Sequence, residues 1–155
     1  MAAPTISYVI CSMGLIFLIF AMPFFFVMER NGFSAEMAKR ELTEISDYTS
    51  NTLANLYFLT NSTNSVELEI TKTLLYLPQT VENSIYMLGI TSMDGLNASK
   101  VTAFLRDKPG VVGDSWLIPG LKVMNESLLE IGSKSVLSGC YRNSTGYYVW
   151  LGEGE

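Results

Sequence analysis

The feature that most constrains this chain is an uncharged, apolar stretch near its beginning. From Tyr8 to Met28 there is no Asp, Glu, Lys or Arg, and the stretch reads YVICSMGLIFLIFAMPFFFVM. At about 1.5 Å per residue, a helix of this length is roughly 31 Å long, the thickness of a bilayer's hydrocarbon core. A cleaved secretory signal has a basic region before a shorter apolar stretch, whereas the first charged side chain here is Glu29. We therefore predict a membrane anchor that crosses once.

A second helical segment is predicted after the anchor. Pro23 lacks a backbone donor and predicts a kink, and Asn31-Gly32 predicts a break. Ser34 is suited to cap a helix that continues to Leu59. Apolar side chains recur in this segment at spacings of three, four and multiples of these, which predicts one buried face: Ala38, Leu42, Ile45, Leu53 and Leu56.

The remainder of the chain has the pattern of a small β-domain. Val66, Leu68 and Ile70 alternate with polar residues, the period of a half-buried strand. Five further runs between Gly, Pro, Asn and Asp clusters predict strands at 84–90, 100–106, 115–123, 135–141 and 147–151. The connection Arg142–Gly146 predicts a hairpin with a bulged or longer loop.

Together these patterns predict an α+β fold. A long, kinked, apolar-then-amphipathic N-terminal helix precedes a small antiparallel β-sandwich of six or seven strands. The predicted regions are an apolar membrane or filament-core helix over 1–30, an amphipathic helix over 31–60 and an extracellular β-rich domain over 61–155.

The composition argues against most enzymatic functions. The chain contains no histidine, which removes the commonest general base and zinc ligand. Its net charge is −5 and its Lys and Arg residues form no run, so we predict no nucleic-acid binding. Glu67 and Glu69 lack a calcium-type Asp-rich loop, and there is no nucleotide-binding glycine motif. We predict no catalytic residues, no metal and no cofactor.

The two cysteines provide no disulfide framework. Cys11 lies within the apolar stretch, so a bridge to Cys140 is not expected. Free cysteine is usually buried, and an intermolecular bond through Cys140 is the alternative.

Four acceptor triplets for N-linked glycosylation follow the anchor. They begin at Asn61, Asn97, Asn125 and Asn143. Such a triplet requires an accessible segment facing the glycosylating compartment, so all four predict a β-domain outside the cell. Arg30, Lys39 and Arg40 oppose this orientation, because basic residues beside a membrane helix favour the cytoplasmic side.

Aromatic residues are concentrated around the predicted final hairpin: Tyr141, Tyr147, Tyr148 and Trp150. Alternate positions of a strand face opposite sides of a sheet. Half of these side chains are therefore predicted to pack in the core, and the other half to be available for a partner.

The order of parts resembles that of archaeal type IV pilin-like proteins, including archaellins, adhesive pilins and archaellum accessory proteins. The stretch Ile6-Ser7-Tyr8-Val9-Ile10 is similar to the start of their mature apolar helix, although no Lys/Arg-Gly processing site precedes it. The resemblance implies a filament with bundled apolar helices inside and β-domains outside. The implied helix-packing residues are Gly14, Phe17 and Ala21, at spacings of three and four residues, and Pro23. The alternative is that these residues face lipid.

Three functions follow from these features. The first is a structural subunit of an extracellular type IV pilus-like filament, whose partners are copies of itself, the membrane before assembly, and N-linked glycans. The second is a single-pass surface adaptor or stator-like module that binds an envelope partner. The third is a small subunit of a membrane enzyme complex. The predicted location is the cell surface, in a filament or anchored in the plasma membrane.

Overall fold

The computed structural model describes residues 3–63, 65, 67–93, 98–132 and 134–154. One helix, α1, spans Ala3–Ser62 and precedes eight strands. The strands are β1 (Leu68–Thr73), β2 (Tyr86–Met93), β3 (Ala98–Leu105), β4 (Val112–Trp116), β5 (Leu121–Val123), β6 (Leu128–Ile131), β7 (Val136–Asn143) and β8 (Gly146–Glu153). The predicted α+β fold is confirmed.

Helix α1 continues without a break from Ala3 to Ser62, so the break predicted at Asn31-Gly32 was wrong. A single glycine within a helix costs only about 1 kcal/mol relative to alanine. The neighbouring Glu, Met, Ala and Lys residues favour the helix strongly enough to carry it through this position. Pro23 also lies inside α1, where it removes one backbone donor without ending the helix.

The chain divides into two compact units, Met1–Glu36 and Met37–Glu155. The later part of α1 therefore belongs to the same unit as the strands. The region predicted over 31–60 as a separate helix is, from Met37 onward, an integral part of the β-domain.

The strands form two four-stranded sheets, ordered β1-β7-β8-β5 and β4-β3-β2-β6. All pairings are antiparallel except that of β5 with β8, which is parallel. The run predicted over 115–123 is divided into β4 and β5, because Pro119 lacks a backbone donor and Gly120 has a φ of +93°. Strand β6 was not predicted.

The final hairpin is tighter than predicted. Asn143 pairs with Gly146, so only Ser144 and Thr145 lie between β7 and β8. Gly146 has a φ of +146°, a conformation that residues with a Cβ rarely adopt. The glycine at the end of the connection thus permits a two-residue turn.

The core of the β-domain contains one face of α1. The five apolar positions predicted to be buried, Ala38, Leu42, Ile45, Leu53 and Leu56, are each 5% exposed or less. They join apolar residues of both sheets, including Tyr86, Leu88, Val101 and Val149, in one cluster. Because α1 contributes a whole face to this cluster, the β-domain cannot form its core without residues 37–62.

Close backbone contact also fixes α1 against β4. A Cβ added at Gly113 would overlap backbone atoms of Leu42 and Thr43, so only glycine fits. The Ser46 hydroxyl donates a 3.0 Å hydrogen bond to the carbonyl of Gly113, and the Ser50 hydroxyl donates a 2.8 Å bond to the carbonyl of Trp116. These contacts place α1 against β4, the edge strand of the sheet β4-β3-β2-β6.

Candidate functional site

The apolar segment of the first unit is exposed on every side. Every large apolar side chain from Tyr8 to Met28 is between 54% and 77% exposed. The consecutive residues Phe24 to Met28 are all exposed, and five consecutive residues cover the full circumference of a helix. By length and composition, this is the one helix in the described part of the chain that could cross a membrane. A helix that is apolar all round requires lipid or other protein around it.

Two of the four predicted helix-packing residues lie together. Phe17 and Ala21 join Phe20, Phe24 and Phe25 around an open, almost entirely apolar depression of about 400 Å³. Ala21 is half-buried, so the small side chain forms the floor between larger rings. Spacing of three and four residues identified Phe17 and Ala21, and the same spacing applied to Phe24 and Phe25 would have found the remaining wall.

The other two predicted packing residues do not line this depression. Gly14 has open space where a Cβ would lie, and Pro23 is exposed. Gly14 stands seven residues before Ala21, which puts it near the same face two turns earlier. Pro23 stands two residues after Ala21, which puts it on another side of the helix.

The glycosylation acceptors have different surroundings. Asn61 is exposed in the last turn of α1, and its Oδ1 accepts a 2.7 Å hydrogen bond from the Tyr147 hydroxyl. Asn125 is exposed in the bend after β5. Asn143 is partly exposed at the end of β7. Asn97 lies outside the described residues. The three described acceptors are thus at the surface, as glycosylation requires.

The side chain of Asn143 is hydrogen-bonded to Thr145 of the same acceptor triplet. The backbone N–H of Thr145 donates a 2.8 Å bond to Asn143 Oδ1, and the Thr145 hydroxyl donates a second, 2.6 Å bond to the same oxygen. Oδ1 accepts both bonds, and within the described residues Nδ2 donates none. The nitrogen that carries an N-linked sugar therefore remains available.

The aromatic residues of the final hairpin lie on two faces, but one of them faces the core side and three face outward, where an equal division was predicted. Tyr147 faces the core side, where its ring lies 4.9 Å from that of Tyr57 in an edge-to-face arrangement. Tyr141 and Tyr148 are paired across β7 and β8 on the opposite face. Trp150 follows two residues after Tyr148, and its indole occupies the space above Gly139, where a Cβ would overlap it. Tyr141, Tyr148 and Trp150, here called the aromatic strip, therefore share the outer face of this sheet.

The cysteines also differ. Cys11 is exposed within the apolar segment, and Cys140 is buried in the β-domain. Burial raises the pKa of the Cys140 thiol, while a hydrogen bond with Thr60 acts in the opposite direction. A buried thiol of raised pKa is a poor nucleophile, which does not favour an intermolecular bond through Cys140 in the folded protein.

The acidic pair considered for a cation lies at the start of the first sheet. Glu67 precedes β1 and Glu69 lies within it, and both are exposed. Among the residues that the structure describes, no three His, Cys, Asp or Glu side chains are grouped in a way that could hold a metal.

The two candidate sites are therefore the apolar segment, with its phenylalanine-lined depression, and the acceptor-bearing surface of the β-domain. Comparison with protein-family models, with curated proteins and with solved structures finds no match for this chain.

Proposed function

We propose that this chain is a structural subunit of an extracellular type IV pilus-like filament. Its apolar N-terminal helices bundle in the filament core, and its β-domains, glycosylated at Asn61, Asn97, Asn125 and Asn143, form the outer surface. The observation that carries the proposal is the exposure of every large apolar side chain from Tyr8 to Met28.

The unfavourable hydration of apolar side chains explains why the segment from Tyr8 to Met28 must be surrounded by lipid or protein. Burying one Leu, Ile or Phe side chain is worth about 1.5–3 kcal/mol. For the whole segment the gain is on the order of tens of kcal/mol, which exceeds the stability of a typical domain. The segment must therefore lie in lipid before assembly and against protein afterwards.

The shape of the segment favours a protein neighbour in the final state. Lipid chains require only an apolar surface, whereas helix packing uses small residues between larger ones. Ala21 between Phe17 and Phe24 supplies such a recess. A side chain from a neighbouring copy would fill it and increase the dispersion contacts of the surrounding rings.

The β-domain has further surface suited to contacts between copies. Leu75 and Tyr76, in the loop after β1, are 75% and 82% exposed. Trp116, at the end of β4, is also exposed. Contiguous exposed apolar residues, such as the neighbours Leu75 and Tyr76, are typical of interaction sites, whereas single ones are common on any protein surface. In a filament these residues would lie between neighbouring outer domains.

A single-pass surface adaptor is the second candidate. It is favoured by the length of the apolar stretch, which matches one bilayer crossing. In that case the phenylalanine-lined depression would face lipid, and the exposed apolar residues of the β-domain would contact an envelope partner.

Shearing intact cells distinguishes the two functions. The released material is imaged by negative-stain microscopy and identified by mass spectrometry. The filament proposal expects fibres in which this chain is the main protein, with sugars on peptides containing the four acceptors. Recovery of the chain only from membranes, as one copy in a larger complex, would contradict it.

A pair of substitutions sharpens this test. Ala21→Leu fills the recess from within and should reduce the fibre yield several-fold while the amount of chain in the membrane is unchanged. Val27→Leu enlarges an exposed apolar residue that does not line the depression, and serves as the matched control. Equal fibre yields for the two variants would exclude the recess as a packing site.

A further inference from the structure

Asn143 and the aromatic strip lie on the same face of the sheet β1-β7-β8-β5. Cys140 of β7 belongs to the core cluster, so the alternate residues Gly139, Tyr141 and Asn143 lie on the opposite face, where the Trp150 indole covers Gly139. Across the ladder, Tyr148 pairs with Tyr141 and Trp150 pairs with Gly139. The acceptor side chain is therefore the first in a row that continues to Tyr141 and then to the indole above Gly139.

The row has the dimensions of a short saccharide. Asn143 and Gly139 are four positions apart on β7, which is roughly 14 Å at about 3.4 Å per residue. Tyr141 carries the ring nearest to Asn143 along the strand and is partly exposed. Among the described residues it makes no ring or cation contact. Tyr148 is already engaged, because its hydroxyl lies 3.0 Å from the Thr145 hydroxyl and Lys122 Nζ lies 5.7 Å from its ring centre.

The hairpin also limits the directions that a sugar can take. The two hydrogen bonds from Thr145 hold Asn143 Oδ1 on the turn side. Nδ2 is bonded to the same carbon in the same plane and so points away from Thr145. The only aromatic side chain that is both two residues away on this strand and on this face is Tyr141.

We propose that the glycan carried by Asn143 lies along this face, with its first sugar packed on the Tyr141 ring and the next towards Trp150. The C–H bonds on one face of a pyranose carry partial positive charge, and the face of an aromatic ring is negative. The contact also removes apolar ring surface from water. The glycan thereby stabilises the β7–β8 hairpin and covers an aromatic surface that would otherwise favour association between domains.

This inference depends on glycosylation of Asn143, which is part of the proposed function. The test uses the full chain in detergent with Asn61, Asn97 and Asn125 each replaced by Gln, so that Asn143 is the one remaining acceptor. The protein is made with and without N-glycosylating enzyme, which leaves Asn143 and its hydrogen bonds in place. Mass spectrometry measures occupancy, and thermal unfolding is followed by circular dichroism.

The glycosylated form should unfold about 3–5 °C above the unglycosylated form. Tyr141→Thr keeps the acceptor triplet and should abolish that difference. A matched chain keeps Asn125 as its one remaining acceptor. In that chain the effect of the glycan on the unfolding temperature should be nearly the same with and without Tyr141→Thr, because Asn125 lies after β5. Sugar proton resonances of the Asn143 chain should be shifted upfield by the ring and should return to their usual positions in the Tyr141→Thr chain.

The outcomes separate this inference from the proposed function. Full occupancy with no change in unfolding temperature, or with the same change in Tyr141→Thr, would overturn the packed glycan and leave the filament proposal intact. An unoccupied Asn143 would overturn both the packed glycan and the glycosylation of this acceptor. Fibres recovered by shearing test the filament independently of either result.

Discussion

Leu42 lies in the part of α1 that belongs to the β-domain and is fully buried, whereas Phe17 lies in the first unit and is 74% exposed. Both are large apolar residues of one continuous helix. The later part of α1 is amphipathic and finds its cover within its own chain. The earlier part is apolar on all sides, and no single small domain could cover it. The contrast shows which part of the chain is complete alone and which part requires other molecules.

Alanine substitutions at these two positions test the contrast most directly. Leu42→Ala should lower the free energy of unfolding of the β-domain by about 2–5 kcal/mol, because it leaves a cavity in a closed core. Phe17→Ala should change it by no more than about 0.5 kcal/mol, yet reduce the fibre yield. Urea unfolding in detergent, followed by tryptophan fluorescence, measures the first effect. A similar loss of stability from both substitutions would remove the distinction between the two parts.

Two glycines of the β-domain provide the next comparison. Gly113→Ala places a Cβ against helix backbone that cannot rotate away, and should destabilise the domain by about 2–3 kcal/mol. Gly110, three residues earlier, has open space around it, so Gly110→Ala should be nearly neutral. The urea midpoints of the two variants give the difference. Equal midpoints would show that α1 does not approach β4 as closely as described.

Much of this fold could be predicted from periodicity. Spacings of three, four and twice four residues identified all five buried apolar positions of the later part of α1, because one face of that helix meets a single core. Alternation identified the β1 region for the same reason, and runs between Gly, Pro, Asn and Asp clusters identified the β2, β3, β7 and β8 regions. Strand β6 was missed since Leu128 and Leu129 are adjacent and do not alternate with polar residues. Its pairing with β2 depends on tertiary structure.

The candidate sites were predictable in a more limited way. The uncharged stretch alone predicted a helix that needs external cover, because that conclusion depends on composition. The placement of Trp150 above Gly139 depends on the register between β7 and β8. The loop length of a hairpin sets its register, and the loop predicted here was longer than the two residues observed. By contrast, Asn143 and Tyr141 are two residues apart on β7, so strand alternation alone places them on one face.

A smaller effect is expected from the hydroxyl that joins α1 to β4. Ser46 is fully buried and donates to the carbonyl of Gly113, so Ser46→Ala should lower the free energy of unfolding by about 1 kcal/mol. Ser12, in the apolar segment, donates to the carbonyl of Val9 within its own helix. Ser12→Ala should leave the unfolding of the β-domain unchanged. A neutral Ser46→Ala variant would show that the apolar face alone holds the helix.

The smallest predicted effect concerns pH and the buried thiol of Cys140. Burial raises its pKa in the folded protein, so the folded state retains the proton at pH values where the unfolded state has lost it. The corresponding stability is therefore present below the ordinary thiol pKa and is lost as the pH rises through the raised value.

Unfolding midpoints measured from neutral pH to about pH 10 should fall more steeply in the wild type than in Cys140→Ala. The variant keeps the tyrosines and therefore corrects for their ionisation. Parallel pH profiles would mean that the thiol has the same pKa in both states, and so that Cys140 is less enclosed than the rest of the core. Cys11→Ala should leave the profile unchanged, because that thiol lies outside the unit that unfolds.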